Sequence, residues 1–213
     1  MRRHESCRCA FPPRPVLRRA RSSCLPLAVV PFVFSFQQFA EGFVWVGLGN
    51  EDAALVRASS LAFLAVALGF WPFWVPFSVL FLERRRMGKW CLAVGALFGL
   101  ALGCVLYLPM ALDAGEWLGV TVVHHSIRYN PRGLPVFDIL PHEFWDAAYG
   151  AFVLSPFLLA SVEGRFAVFR LLLTVSVAVS FVAFREAFVS VWCFFAALLS
   201  SQLCYVFYKL DRT

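Results

Sequence analysis

Gln37, Gln38 and Glu41 stand inside an otherwise apolar run from Leu25 to Leu48. A carboxylate at the centre of a membrane helix costs about 2.5–3.5 kcal/mol on insertion scales. A run that keeps one needs a partner or a use for it. Gln37 and Glu41 are four apart and share a helical face, and Gln38, Glu41 and Trp45 share another by the i, i+3, i+7 relation. The polar stripe is therefore one-sided. It is expected to face a helix bundle, with the phenylalanines of the run turned to lipid or to neighbours. The densest cluster of reactive side chains lies between Asp113 and Asp146: His124, His125, Ser126, Arg128, Tyr129, Asp138, His142, Glu143 and Asp146. Arg185 and Glu186 form a third, smaller group. Carboxamides and a carboxylate inside a membrane suit binding of a small molecule or ion. Three histidines near carboxylates suit a metal-dependent hydrolase.

The elements that position these groups follow from the apolar runs. Helices are expected over about Leu27–Leu48, Ala54–Leu82, Trp90–Leu112, Ala147–Val162, Phe166–Phe184 and Ala187–Tyr208. Each run is close to the length that crosses a bilayer. The second holds Trp71-Pro72-Phe73-Trp74-Val75-Pro76, whose two prolines remove backbone donors and predict a kink. The third holds Gly95, Gly99 and Gly103 at four-residue spacing, which bares backbone on one face for close helix approach. Leu118–Tyr129 is rich in Val and Thr. With Asn130-Pro131-Arg132-Gly133 as a turn and Val136–Leu140 beyond, it reads as a short hairpin or an ordered extended loop.

Composition agrees. Of 213 residues, 61% are hydrophobic and 15% charged, against nearer half and a quarter in soluble domains. The predicted fold class is an all-α membrane protein: a polytopic bundle of about six transmembrane helices with one long outer loop, 113–146. Residues 1–24, with seven Arg, three Cys and three Pro, read as a basic, disordered cytoplasmic tail, and 25–213 as the helical transmembrane domain. The formal charge of +6 lies in that tail and in short loops rather than on a face with interleaved aromatics, so no nucleic-acid partner is expected. Seven cysteines, none in the outer loop, indicate no disulfide framework. Cys7-x-Cys9 alone does not make a metal site, and no helical His-x-x-x-His or Glu-x-x-His spacing occurs. Neither a nucleotide loop nor a nucleophile elbow nor a haem motif is present, so no cofactor is expected.

Charge also orients the chain. With six spans, one side collects the N-terminal arginines, Arg84, Arg85, Arg86, Lys89, Arg165, Arg170, Lys209 and Arg212, and the other keeps Arg57, Arg128, Arg132 and Arg185. Positive residues stay inside, which places both termini in the cytoplasm and the chain in the cell (inner) membrane. Glu41, the His-rich loop and Arg185 then converge near the outer leaflet. They predict a polar pocket lined by Gln37, Gln38, Glu41, His125, Arg128, Tyr129 and Arg185, with a Glu41–Arg185 pair reducing the cost of either charge.

Several segments carry a resemblance: Phe36–Trp45, Phe70–Pro76, Leu106-Tyr107-Leu108-Pro109, His125–Tyr129 and Phe184–Ala197. In these, roughly from residue 25 to the end, the chain resembles a family of uncharacterised bacterial multi-pass membrane proteins, classed under a domain of unknown function. Members of that family start with a short Met-Cys-Phe-Ser segment and an additional first span, which 1–24 replaces here. The resemblance implies a membrane protein and brings no activity with it. The leading functional reading is a protein that binds, transports or senses a small molecule or ion, with the lipid bilayer as its surroundings. A metal-dependent membrane hydrolase using the outer-loop histidines and a structural, partner-binding protein are the alternatives.

Overall fold

The computed structural model describes residues 25–123, 125–131, 142–160 and 166–212. The tail 1–24, His124, the segment Val136–Leu140 and the loop Glu163-Gly164-Arg165 lie outside the described residues. Among those described, the chain is an all-α bundle carrying one two-stranded hairpin. Among the described residues, four helical stretches are long and apolar enough to cross a membrane: Leu25–Gly49, Ala53–Leu80, Arg86–Leu112 and Arg185–Tyr205. Two more, Phe144–Leu159 and Ala167–Ala183, are apolar but shorter.

Helix α1, Val30–Gly49, ends where the polar turn Asn50-Glu51-Asp52 begins. Glu51 adopts a left-handed φ of 55°, and the Asp52 carboxylate accepts from the amides of Ala54 and Leu55 at 3.0 Å. That side-chain cap starts α2, Ala53–Leu64, by satisfying amides that have no partner inside the helix.

The second span is continuous helix over Ala53–Leu80, as expected, but it is not α-helical throughout. It is α2, then one π-helical stretch Ala65–Phe70, then α3, Trp71–Leu80. The Trp71 amide donates to Val66, five residues back, so the Ala67 carbonyl loses the partner an α-helix would give it. Pro72 has no N–H to offer instead. Tyr149 supplies the donor, its hydroxyl bonding to the Ala67 carbonyl. The departure from regular α-helix thus comes from a wide turn ahead of the prolines as well as from the prolines themselves.

Helix α4, Arg86–Leu112, lies along this distorted span. A Cβ on Gly99 would overlap the Pro72 carbonyl, and one on Gly103 would stand 2.8 Å from the Gly69 oxygen and 3.0 Å from the Leu68 oxygen. Leu68 and Pro72 are the residues whose carbonyls Pro72 and Pro76 cannot bond at i+4. Glycine backbone therefore packs directly on the carbonyls that proline released. Gly95 is less constrained, since its Cβ would meet Pro76 at an ordinary 3.7 Å. Ahead of α4, Glu83 is buried in what reads as a charged loop. Its Oε1 accepts from the amides of Arg84 and Arg85 at 2.8 and 2.7 Å.

A short helix α5, Ala114–Trp117, leads into β1, Leu118–Val123, and β2, Ser126–Pro131. The strands pair antiparallel from Leu118↔Pro131 to Val123↔Ser126. The chain therefore reverses between Val123 and Ser126, and Asn130 and Pro131 belong to β2 rather than to a turn. His125 has φ 61°. A two-residue connection needs left-handed backbone, which His adopts more readily than most residues. Helix α6, His142–Leu159, starts five residues ahead of the predicted Ala147, shortening the outer loop. Helix α7, Ala167–Ala183, a 3₁₀ turn Arg185–Ala187 and α8, Phe188–Arg212, complete the order.

The larger core joins α3, α6, α7 and α8 around Trp71, Phe157, Phe169, Phe188 and Trp192. A smaller one, with Phe63, Leu64 and Met110 at its centre, lies under the hairpin. There the Tyr129 ring stacks on Phe63 at 4.8 Å. Cys193 is buried and free, and Cys91, Cys104 and Cys204 are exposed and free.

Candidate functional site: a cavity beside a buried carboxyl

Helix α1 turns its polar stripe inward, as the spacing predicts. Gln37 is 0% exposed and Glu41 7%, while Phe32, Phe36, Phe39 and Phe43 lie on the exposed side. Gln37 Oε1 accepts from Trp71 Nε1 at 2.7 Å, and its Nε2 is buried without a hydrogen bond. Ser190, at the start of α8, donates its hydroxyl to Glu41 Oε1 at 2.5 Å. Ser190, rather than the expected Arg185, supplies this bond. The Gln38 amide approaches the same carboxyl, but in a geometry that leaves its Nε2 without a regular hydrogen bond.

Ser190 also lines a cavity of about 330 Å³ bounded by α4, α6, the hairpin and the Arg185–Ala187 turn. Its body is apolar, with Leu102, Leu106 and Met110 of α4 facing Ile127 of β2 and Phe152 of α6. Its rim is ionic, with Arg128, Asp146, Arg185 and Glu186 among the lining residues. Arg128 Nη1 stands 3.5 Å from Glu186 Oε2. The Arg185 guanidinium lies 5.9 Å from the centre of the Phe181 ring. The Tyr129 hydroxyl is buried with no hydrogen bond. Burial pushes its phenol well above the ordinary tyrosine range, and the nearby Glu41 and Cys193 push the same way.

Of the residues singled out from sequence, Arg128, Tyr129, Asp146, Arg185 and Glu186 share the wall of this cavity. Glu41 stands behind it, joined through Ser190, and Gln38 lies beside Glu41. Gln37 faces Trp71. His125 is exposed at the hairpin turn and is not among the lining residues. Sequence reasoning missed Ser190, Tyr149 and the bond that Trp71 makes. For Ser190 a signal existed: Ala187, Ser190, Cys193, Ala196 and Ser200 form a row of small residues three or four apart, the mark of a close-packed helix face. For Tyr149 there was none, because its partner is a carbonyl freed by a turn the sequence does not announce. Among the described residues no group of three or more His, Cys, Asp or Glu is placed to hold a metal ion.

No curated protein and no solved structure matches the chain. A family's sequence model does, over residues 9–212, and so takes in most of the basic segment that the resemblance by motifs left out. With nearly the whole chain matched, this protein is a member of the Family of unknown function (DUF6629).

Proposed function

We propose that this chain is a multi-pass protein of the cell (inner) membrane that binds a small amphipathic molecule in the cavity beside Glu41. The cavity carries the reading. Its volume, about 330 Å³, falls at the lower end of the range of about 300–1,000 Å³ usual for small-molecule sites. It joins an apolar body to an ionic rim, the division an amphiphile itself has. The four long apolar helices support insertion, and the concentration of Arg and Lys in 1–24 and 84–89 supports cytoplasmic termini. The buried carboxyl of Glu41 stands behind the wall, held by the hydroxyl of Ser190, which does line the cavity.

The test is binding of a fluorescent amphiphile that brightens in apolar surroundings, by protein purified in detergent. Leu106→Trp fills the cavity body and is expected to abolish the signal, while Val105→Trp, on the exposed face of the same helix, leaves it intact. Equal binding by both variants would remove the reading.

A further inference from the structure

Part of the cavity's lining lies on the protein surface between α4 and α6. Helices α4 and α6 make little contact with each other beyond an edge-to-face pair, Phe98 and Phe152, with ring centres 5.6 Å apart. Both rings line the cavity, yet Phe98 is 58% exposed and the neighbouring lining residue Ala148 is exposed too. That surface therefore lies midway along α4, in a helix apolar enough to cross a membrane. A solute in water does not meet that depth; the hydrocarbon of a bilayer does. From there, Phe98, Leu102, Leu106 and Met110 follow one another at four-residue steps on one face of α4. At 1.5 Å per residue they make an apolar track of roughly 18 Å, leading to the ionic rim.

The rim carries both signs. Two guanidiniums, Arg128 and Arg185, stand with two carboxylates, Asp146 and Glu186. A purely anionic headgroup meets both carboxylates there, and a purely cationic one meets both guanidiniums. A zwitterion satisfies each: phosphate suits the planar donors of arginine, and ammonium suits the acids. The Arg128–Glu186 pair, at 3.5 Å with side chains 36% and 58% exposed, is of the weakly held kind and opens readily to admit such a group.

We propose that the cavity holds one acyl chain of a zwitterionic phospholipid, admitted from the bilayer between α4 and α6, with its headgroup at the Arg128–Glu186 rim. This rests on the amphiphile-binding reading above. The probe is a phosphatidylethanolamine with a diazirine midway along one chain, present at a small fraction in phosphatidylcholine vesicles holding the full chain. Labelled residues are mapped by mass spectrometry after illumination. Label is expected on Leu102, Leu106, Ile127 or Phe152. Ala148→Trp, which adds bulk at this exposed edge, is expected to cut that label tenfold or more, and Phe98→Ala to raise it. The same chain on an anionic phosphatidylglycerol is expected to label several-fold less. Label confined to Val94, Leu97 and Val105, the exposed face of α4, and indifferent to both variants would overturn the proposal. So would equal label from the two headgroups. Cavity label from a water-soluble lysophospholipid, with none from the bilayer probe, overturns lateral admission and keeps the binding reading. No cavity label from any probe, as when a second copy of the chain seals the gap, overturns both.

Discussion

The hydroxyl of Tyr149 bonds to the carbonyl of Ala67, 82 residues earlier. The bond exists because the backbone there has a π-helical turn and Pro72 follows it. Tyr149→Phe removes the donor and leaves a buried carbonyl unpaired, which costs about 1–3 kcal/mol. A loss of that size in the free energy of unfolding is expected, read from a lowered midpoint in mixed detergent, with helix content unchanged. Wild-type stability in this variant would mean that the Ala67 carbonyl finds another donor.

Gly99 and Gly95 offer a paired comparison on one helix. Gly99→Ala drives a methyl into the Pro72 carbonyl, and backbone cannot step aside as a flexible side chain does. Gly95→Ala places its methyl 3.7 Å from Pro76, an ordinary contact. Gly99→Ala is expected to lose more than about 2 kcal/mol, within the range of overpacked cores, while Gly95→Ala stays within about 0.5 kcal/mol of wild type. Thermal unfolding of the two purified variants decides it. The reverse order would place the tight contact elsewhere.

Ser190 and Glu41 are expected to be energetically coupled. Residues in direct contact show interaction energies of about 0.5–3 kcal/mol in double-mutant cycles. Ser190→Ala, Glu41→Gln and the combined variant should therefore be non-additive by at least about 0.5 kcal/mol. Simple additivity would indicate that the carboxyl draws its stabilisation from other groups.

Topology is tested at the hairpin and at the end of the chain. In a background lacking the seven native cysteines, a cysteine replacing exposed His125 is expected to react with a membrane-impermeant thiol reagent added outside intact cells. A reporter fused after Thr213 is expected to be active only in the cytoplasm. An external signal from the C-terminal reporter would invert the proposed orientation.

Much of this architecture was legible because bilayer-length apolar runs and one-sided polar spacing are strong patterns. The inward stripe of Gln37 and Glu41 and the bared face of Gly99 and Gly103 both follow from spacing alone. What spacing does not encode is how strain at one residue is answered by another far away. Pro72 announces a disturbance, but not that it takes the form of a π-turn, nor that Tyr149 answers it. The hairpin reverses between Val123 and Ser126 because cross-strand pairing of 118–131 outweighed the local turn preference of Asn130-Pro131. Glu83 reads as one more charge in a loop, yet it is buried by the amides it binds. In the candidate site, Arg128, Tyr129 and Arg185 announced themselves by type. Ser190 showed only as one of a row of small residues, a signal of close packing that does not announce a hydroxyl bonded to Glu41.

The wide turn at Ala65–Phe70 has a bearing on how such chains change length. Each residue of a helix advances the side-chain direction by about 100°. Deleting one residue from this turn would swing Trp71, Val75 and Val79 a quarter-circle or more out of the core and carry the proline carbonyls away from Gly99 and Gly103. The turn therefore works as a phase setting. Within these six positions the residue count itself is under constraint, whatever the side chains.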